Sequence, residues 1–160
     1  MEEHNLSLKF NPITKYTPKH YELLLEADPS LESIASYLSR CESFELTSNH
    51  QSVGIIAIMA TESQTIEIMN IAVHPKFQGQ GLGTRLIQSA IKFYSTNPSF
   101  EKITIMTGTT SFGALYLYQK LGFRCKQILS NHFINPTLYP HPLHENGLTL
   151  KDAIMLERTL

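Results

Sequence analysis

Long apolar runs are missing from this 160-residue chain. The longest, Ile55 to Ala60, falls far short of what a membrane-spanning helix needs. Lysine and arginine form no cluster: 13 basic residues stand against 14 acidic ones, for a formal net charge of −1. That balance argues against nucleic acid or a membrane surface as a partner. The first residues, MEEHNLSLKF, hold no basic stretch followed by an apolar core, so no signal peptide is expected. Cysteine is scarce. Cys41 and Cys125 are isolated and outside any CxxC pair, which reads as two reduced thiols in a cytoplasmic protein. No Gly-Lys pair occurs, which excludes a P-loop, and no internal repeat appears. What is present is ordinary for a globular chain, 42% hydrophobic and 17% charged. A single domain over 1–160 is expected, able to bury about two-thirds of its unfolded surface.

The informative stretch is Thr65 to Tyr94, TIEIMNIAVHPKFQGQGLGTRLIQSAIKFY. Thr65 to Val73 is rich in β-branched residues and reads as a strand. His74-Pro75 ends it, because proline restricts its predecessor and has no N–H for a ladder. Gln78-Gly79-Gln80-Gly81-Leu82-Gly83 is a glycine-rich turn. From Leu82 onward, Gly83, Ile87, Ala90, Ile91 and Tyr94 recur at helical spacing. Strand, glycine turn and helix together make an anion site, since the helix start has unpaired N–H groups and glycine allows close approach. A dinucleotide fingerprint fails, because Thr84 or Leu86 stands where its third glycine belongs.

Gln78-x-x-Gly81-x-Gly83 after a strand resembles the Q/R-x-x-G-x-G/A signature of the GNAT superfamily of acetyl-CoA-dependent N-acetyltransferases. Ala114 to Phe123, ALYLYQKLGF, resembles the superfamily's later helix, A-x-x-L-Y-x-K-x-G-F. The two occur in the expected order, and the likeness covers about residues 43 to 128. It implies a mixed α/β (α+β) fold, with a mostly antiparallel central sheet of about seven strands flanked by about four helices.

The remaining chain fits that order. Leu6 to Thr14 alternates like a strand ended or bent by Pro12, and Thr17-Pro18 starts a helix. Ser30 caps a second helix from Leu31 to Leu38. Ser43 to Ser48 and Gln51 to Thr61 form a hairpin around Ser48-Asn49-His50, and its second arm, apolar on both faces, is a central strand. Lys102 to Met106 is a short buried strand. Thr110 or Ser111 caps the Ala114 helix, and Gly122 suits its C-terminal end. Phe123 to Leu129 and Asp152 to Leu160 are the last two strands. Between them, Ser130 to Lys151 shows little regular pattern, and a loop this long is usually functional or mobile. Its Tyr139-x-x-Pro142-Leu143-x-Glu145-Asn146-Gly147 is similar to the tail of a bacterial GNAT subgroup. Asn146-Gly147 also reads as a tight turn.

The resemblance implies specific roles. The pyrophosphate of acetyl-CoA would sit on the N–H groups of Gly79, Gln80, Gly81, Leu82, Gly83 and Thr84, next to Gln78. Ile71, Ala72 and Val73 would offer backbone groups to the pantetheine arm, where that strand departs from its neighbour. Ser111 stands where many relatives have an asparagine, and it joins Ala114 on the cofactor side. Tyr118 falls on the tyrosine that protonates the leaving thiolate, although its helical stripe with Ala114, Leu117 and Leu121 equally suits a core residue. Tyr116 faces elsewhere. Glu67 matches a general base of some members, although a strand glutamate is more often a solvated edge charge. Phe133, Tyr139 and His144 are candidates for the acceptor pocket. His141-x-x-His144 with Glu145 is too sparse for a metal site, so no metal is expected. His74 and His132 have no partner legible in the sequence.

The expected activity is acetyl transfer to a primary amine, on a small molecule or a protein, by direct attack in a ternary complex. No cysteine or serine sits in a nucleophile motif. The alternative is an acyl-CoA-binding sensor without turnover, which would not need a proton donor at Tyr118. A homodimer accords with the superfamily.

Overall fold

The computed structural model describes residues 7–160, so the expected strand start at Leu6 and most of the MEEHNLSLKF stretch lie outside it. In chain order the elements are β1 (Leu8–Pro12), α1 (Pro18–Ala27), α2 (Leu31–Leu38), β2 (Glu42–Ser48), β3 (Gln51–Ala60) and β4 (Thr65–Val73). A 3-10 turn at Pro75–Phe77 precedes α3 (Leu82–Tyr94), β5 (Lys102–Gly108), α4 (Phe112–Lys120) and β6 (Arg124–Leu129). The chain closes with β7 (Leu143–Glu145), β8 (Leu148–Leu150) and β9 (Ala153–Thr159). Seven strands form one sheet in the order β1-β2-β3-β4-β5-β9-β6, and β7 pairs with β8 separately. Thr65–Ile68 of β4 runs parallel to Lys102–Ile105 of β5. The β1–β2, β2–β3, β5–β9 and β6–β9 pairs are antiparallel. This is the mixed α/β, mostly antiparallel architecture that the motifs imply.

Local chemistry explains most boundaries. The Thr17 hydroxyl accepts from the His20 N–H, and His20 Nδ1 accepts in turn from the Thr17 N–H, a capping box just before Pro18. Ser30 caps α2 through the Ser33 N–H at 3.1 Å. Asn49 and His50 both have positive φ, 48° and 63°, the backbone a two-residue hairpin turn requires. β3 is buried from Val53 to Ile58, as its two apolar faces require.

One segment differs from expectation. Ser130 to Lys151 contains the β7–β8 hairpin, registered Leu143↔Leu150, His144↔Thr149 and Glu145↔Leu148. Three-residue strands are too short to show a period of two, and only the Asn146-Gly147 turn, at φ 53° and 75°, announces them.

Two compact units divide the chain: residues up to Met59 with Met69–Phe93, and Ala60–Ile68 with Tyr94–Leu160. The first is built on Leu23, Leu24, Ile34, Tyr37, Ile55 and Ala72. There, buried Asn70 donates from Nδ2 to the Leu24 carbonyl and the Tyr37 hydroxyl, both at 3.0 Å, tying α1 and α2 to β4. The second unit buries Ile103, Ile105, Phe123 and Leu156. Its β5–β9 ladder runs from Lys102↔Thr159 to Gly108↔Ala153.

Candidate active site

The glycine turn lies in the first unit. β4 alternates strictly, with Ile68, Asn70 and Ala72 buried and Met69, Ile71 and Val73 half-buried. Its end is held by the His74 N–H donating to the Val53 carbonyl at 2.9 Å. His74 also finds the role that the sequence hides, for its Nδ1 accepts from the Lys76 N–H and caps the 3-10 turn. Gln78 folds back, its Nε2 donating to the Val73 carbonyl at 3.0 Å. The glutamine of the motif thus braces the strand end, and the Val73 carbonyl already has a donor.

Gly79 and Gly81 have φ of 76° and 77°, the left-handed region where a side chain is strained. Among the described residues, no atom beyond the adjacent ones lies within 4 Å of where a Cβ would stand on either, so the turn is open. The Arg85 N–H donates to the Gly81 carbonyl at 3.1 Å, which makes Gly81 the first acceptor of α3. The N–H groups of Leu82, Gly83 and Thr84 therefore fall in the first turn, where helix geometry provides no partner. The Leu82 side chain is buried, which anchors the helix start and leaves only its backbone for the turn. No acidic residue stands in that first turn to compete with an anion. The residues present fit a pyrophosphate.

The second unit carries the titratable candidates. Glu67 is half-buried on β4, opposite Thr104 of β5. Its carboxylate makes no hydrogen bond or ion pair among the described residues, and desolvation raises its pKa above the ordinary glutamate value. Tyr118 is 6% exposed, and burial pushes its phenol up to about 12. Two fully buried side-chain polar atoms lack a partner among the described residues, Ser52 Oγ and Asn70 Oδ1. The Tyr118 oxygen makes no hydrogen bond among the described residues. Tyr116 is 67% exposed on the other side of α4, under the Lys120 ammonium.

Tyr118 is fixed from the C-terminal end of its helix. Gly122, at φ 88°, follows the cap; its N–H donates to the Gln119 carbonyl, and the Phe123 N–H donates to the Tyr118 carbonyl, both at 3.0 Å. This is a Schellman ending, completed by Phe123 packing on the Tyr118 ring at 6.1 Å. At the other end Ser111 is the N-cap by position, but its side chain makes no capping bond. Its hydroxyl donates instead to Glu145 Oε2 at 2.6 Å. Ala114, one turn on, is half-buried.

In the long segment the structure brings Phe133 and Tyr139 together, with ring centroids 5.7 Å apart, both half-buried. His132 packs edge-on against Phe133 at 4.8 Å. His144 stands exposed on β7 beside Thr149. Glu145 is engaged with α4, and no group of three or more metal-ligating side chains gathers among the described residues. Glu145 has no role legible in the sequence beyond its place two residues before the glycine of a tight turn.

A strand running into an open glycine turn, followed by a helix whose first N–H groups have no helical partner, is an α/β arrangement that suits an anion. The family model of the acetyltransferase (GNAT) domain matches residues 40–125, more than half of the chain. The chain belongs to the GNAT acetyltransferase family, and it is an N-acetyltransferase by that membership. It is 36% identical over 136 residues to the uncharacterised N-acetyltransferase YvbK of Bacillus subtilis (strain 168), covering 85% of this chain and 86% of that protein. A GNAT family acetyltransferase from Elizabethkingia anophelis, solved with acetyl-CoA bound, superposes with a TM-score of 0.88 at 41% identity, covering 96% and 98% of the two chains. A Bacillus subtilis acetyltransferase solved in complex with CoA gives a TM-score of 0.88 at 33% identity, covering 96% and 99%. These bound structures support a coenzyme A thioester as co-substrate. No helix among the described residues is long and apolar enough to cross a membrane.

Proposed function

We propose that the protein moves the acetyl group of acetyl-CoA to a primary amine by direct attack in a ternary complex. The observation that carries this reading is the open turn at Gly79 and Gly81 leading into an acid-free helix start. The pyrophosphate would rest on the N–H groups from Gly79 to Thr84, and the pantetheine arm along the backbone of Ile71 to Val73. The Ser111 hydroxyl is already engaged as a donor to Glu145 at 2.6 Å.

Tyr118 is assigned the leaving sulfur in this reading, and its raised pKa limits what it can do there. Complete transfer from a phenol at about 12 to a thiolate of ordinary value, about 8.5, is uphill by about 5 kcal/mol. Tyr118 therefore acts as a hydrogen-bond donor that stabilises the developing thiolate, and water protonates it on release. Glu67, with its raised pKa and no partner, accepts the proton of the attacking amine, directly or through water. Phe133, Tyr139 and His144 line the acceptor side.

The test is thiol release from acetyl-CoA across a library of small amines and peptide N-termini. Release that depends on one amine class, with the acetylated product found by mass, supports transfer. Coenzyme A binding without release for any amine would leave a sensor module instead.

A further inference from the structure

The β7–β8 hairpin is joined to the start of α4 by contacts that the proposed chemistry does not use. Glu145 Oε2 accepts from the Ser111 hydroxyl at 2.6 Å and from the Thr110 hydroxyl at 3.3 Å. The next residue, Asn146, donates from Nδ2 to the Thr110 carbonyl at 2.8 Å. Two consecutive hairpin residues thus hold two consecutive residues at the helix start. Thr110 is only 6% exposed, and the Ser111 bond has the short length of a charge-assisted contact. Apolar packing reinforces the junction: a Cβ on Gly108 would stand 2.4 Å from Leu150 Cδ1 and 2.9 Å from Ser111 Oγ. Strand β5 must end in glycine for β8 to lie this close.

We propose that Glu145 is a positioning residue: through Ser111 and Thr110 it fixes the N-terminal end of α4, and so aims the Tyr118 hydroxyl. This rests on the reading of Tyr118 as the donor to the leaving sulfur. α4 has nine residues, too few to be stable alone, and lacks a self-capping side chain. Its C-terminal end is secured by the Schellman turn and Phe123. With one end released, the helix can tilt about the other. A tilt of about 10° carries the end of a long side chain by about 1 Å, a displacement that can cost on the order of 10²-fold in rate. The hairpin supplies the second fixed point. It also explains why a carboxylate is used there: Glu145 offers several acceptor sites to two hydroxyl donors and favours the positive helix end.

The experiment is a double-mutant cycle on the full chain between Glu145→Ala and Tyr118→Phe, reading kcat, coenzyme A affinity and melting temperature. The expected result is a fall in kcat of about tenfold from Glu145→Ala in the native background. In the Tyr118→Phe background the same change should cost less than about twofold, because there is no hydroxyl left to aim. Glu145→Gln, which keeps one acceptor oxygen for Ser111, should recover much of the rate. Equal losses in both backgrounds would make Glu145 merely structural and overturn the proposal. No loss at all from Glu145→Ala, with Tyr118→Phe still slow, would overturn it too while sparing the role of Tyr118. A silent Tyr118→Phe would sink that role and the clamp with it. Should Glu145→Ala fail to fold, Asn146→Gly removes the second contact while keeping the positive φ, and it carries the same cycle.

Discussion

Replacing Tyr118 by phenylalanine removes one oxygen and nothing else, and the structure assigns that oxygen no partner among the described residues. Packing of the ring against Phe123 survives the change. Removing an unpartnered hydroxyl should alter stability by less than about 0.5 kcal/mol, or about 2 °C in melting temperature. The rate is another matter. Loss of one preorganised donor to developing charge costs about 10² to 10³ in kcat, or about 2.7–4 kcal/mol. Burial holds the phenol at about 12, so it stays protonated throughout the assay range. The deficit should therefore be the same across a kcat–pH profile from about 6.5 to 9.5. Coenzyme A affinity should hold within about threefold, since the hydroxyl matters most once charge develops. The assay is colorimetric thiol release at saturating amine, with melting curves beside it. A change in kcat of less than about twofold would refute the donor role and return Tyr118 to the core. A deficit that grows or disappears with pH would refute the argument from its raised pKa.

Coenzyme A at a hundredfold excess over its dissociation constant should stabilise folding by about 2.7 kcal/mol, while pantetheine without the pyrophosphate gives much less. Equal shifts would mean the turn is not the phosphate site. Gln80→Glu places a charge in the exposed turn without straining it and should weaken coenzyme A binding by about tenfold. It should not lower the melting temperature of the free protein, because an acid at a helix start is favourable. Glu67→Gln should raise stability at neutral pH. The folded-state pKa of Glu67 lies above its unfolded value, so its contribution is fully present below the unfolded value and is lost as pH rises through the folded one. The gain should vanish below about pH 4, and a base role adds an activity loss partly recovered at high pH, where the amine is already neutral. Activity unchanged at every pH would leave Glu67 an edge charge. Tyr139→Ala breaks the ring pair with Phe133 and should raise the acceptor KM while leaving coenzyme A affinity unchanged. Lost coenzyme A affinity would assign that segment to the cofactor side.

The sequence alone determined the elements whose signals are local. β4, the glycine turn and α3 are legible because a run rich in β-branched residues, Pro75, three glycines and a 3.6-residue apolar stripe occupy adjacent positions. Thr17-Pro18, Ser30 and Gly122 mark helix ends for the same reason: a cap concerns only a few neighbouring residues. Tertiary structure decided everything that joins distant positions. Ser111 reads as a cap, yet its hydroxyl belongs to Glu145, thirty-four residues later. The β7–β8 strands have no periodicity of their own, and the close approach of Leu150 needs a glycine at position 108. The Tyr118 and Glu67 pKa values are likewise consequences of burial, which no spacing of letters records. Backbone conformation responds to near neighbours, but hydrogen-bond partners and desolvation depend on which remote segments the fold brings alongside.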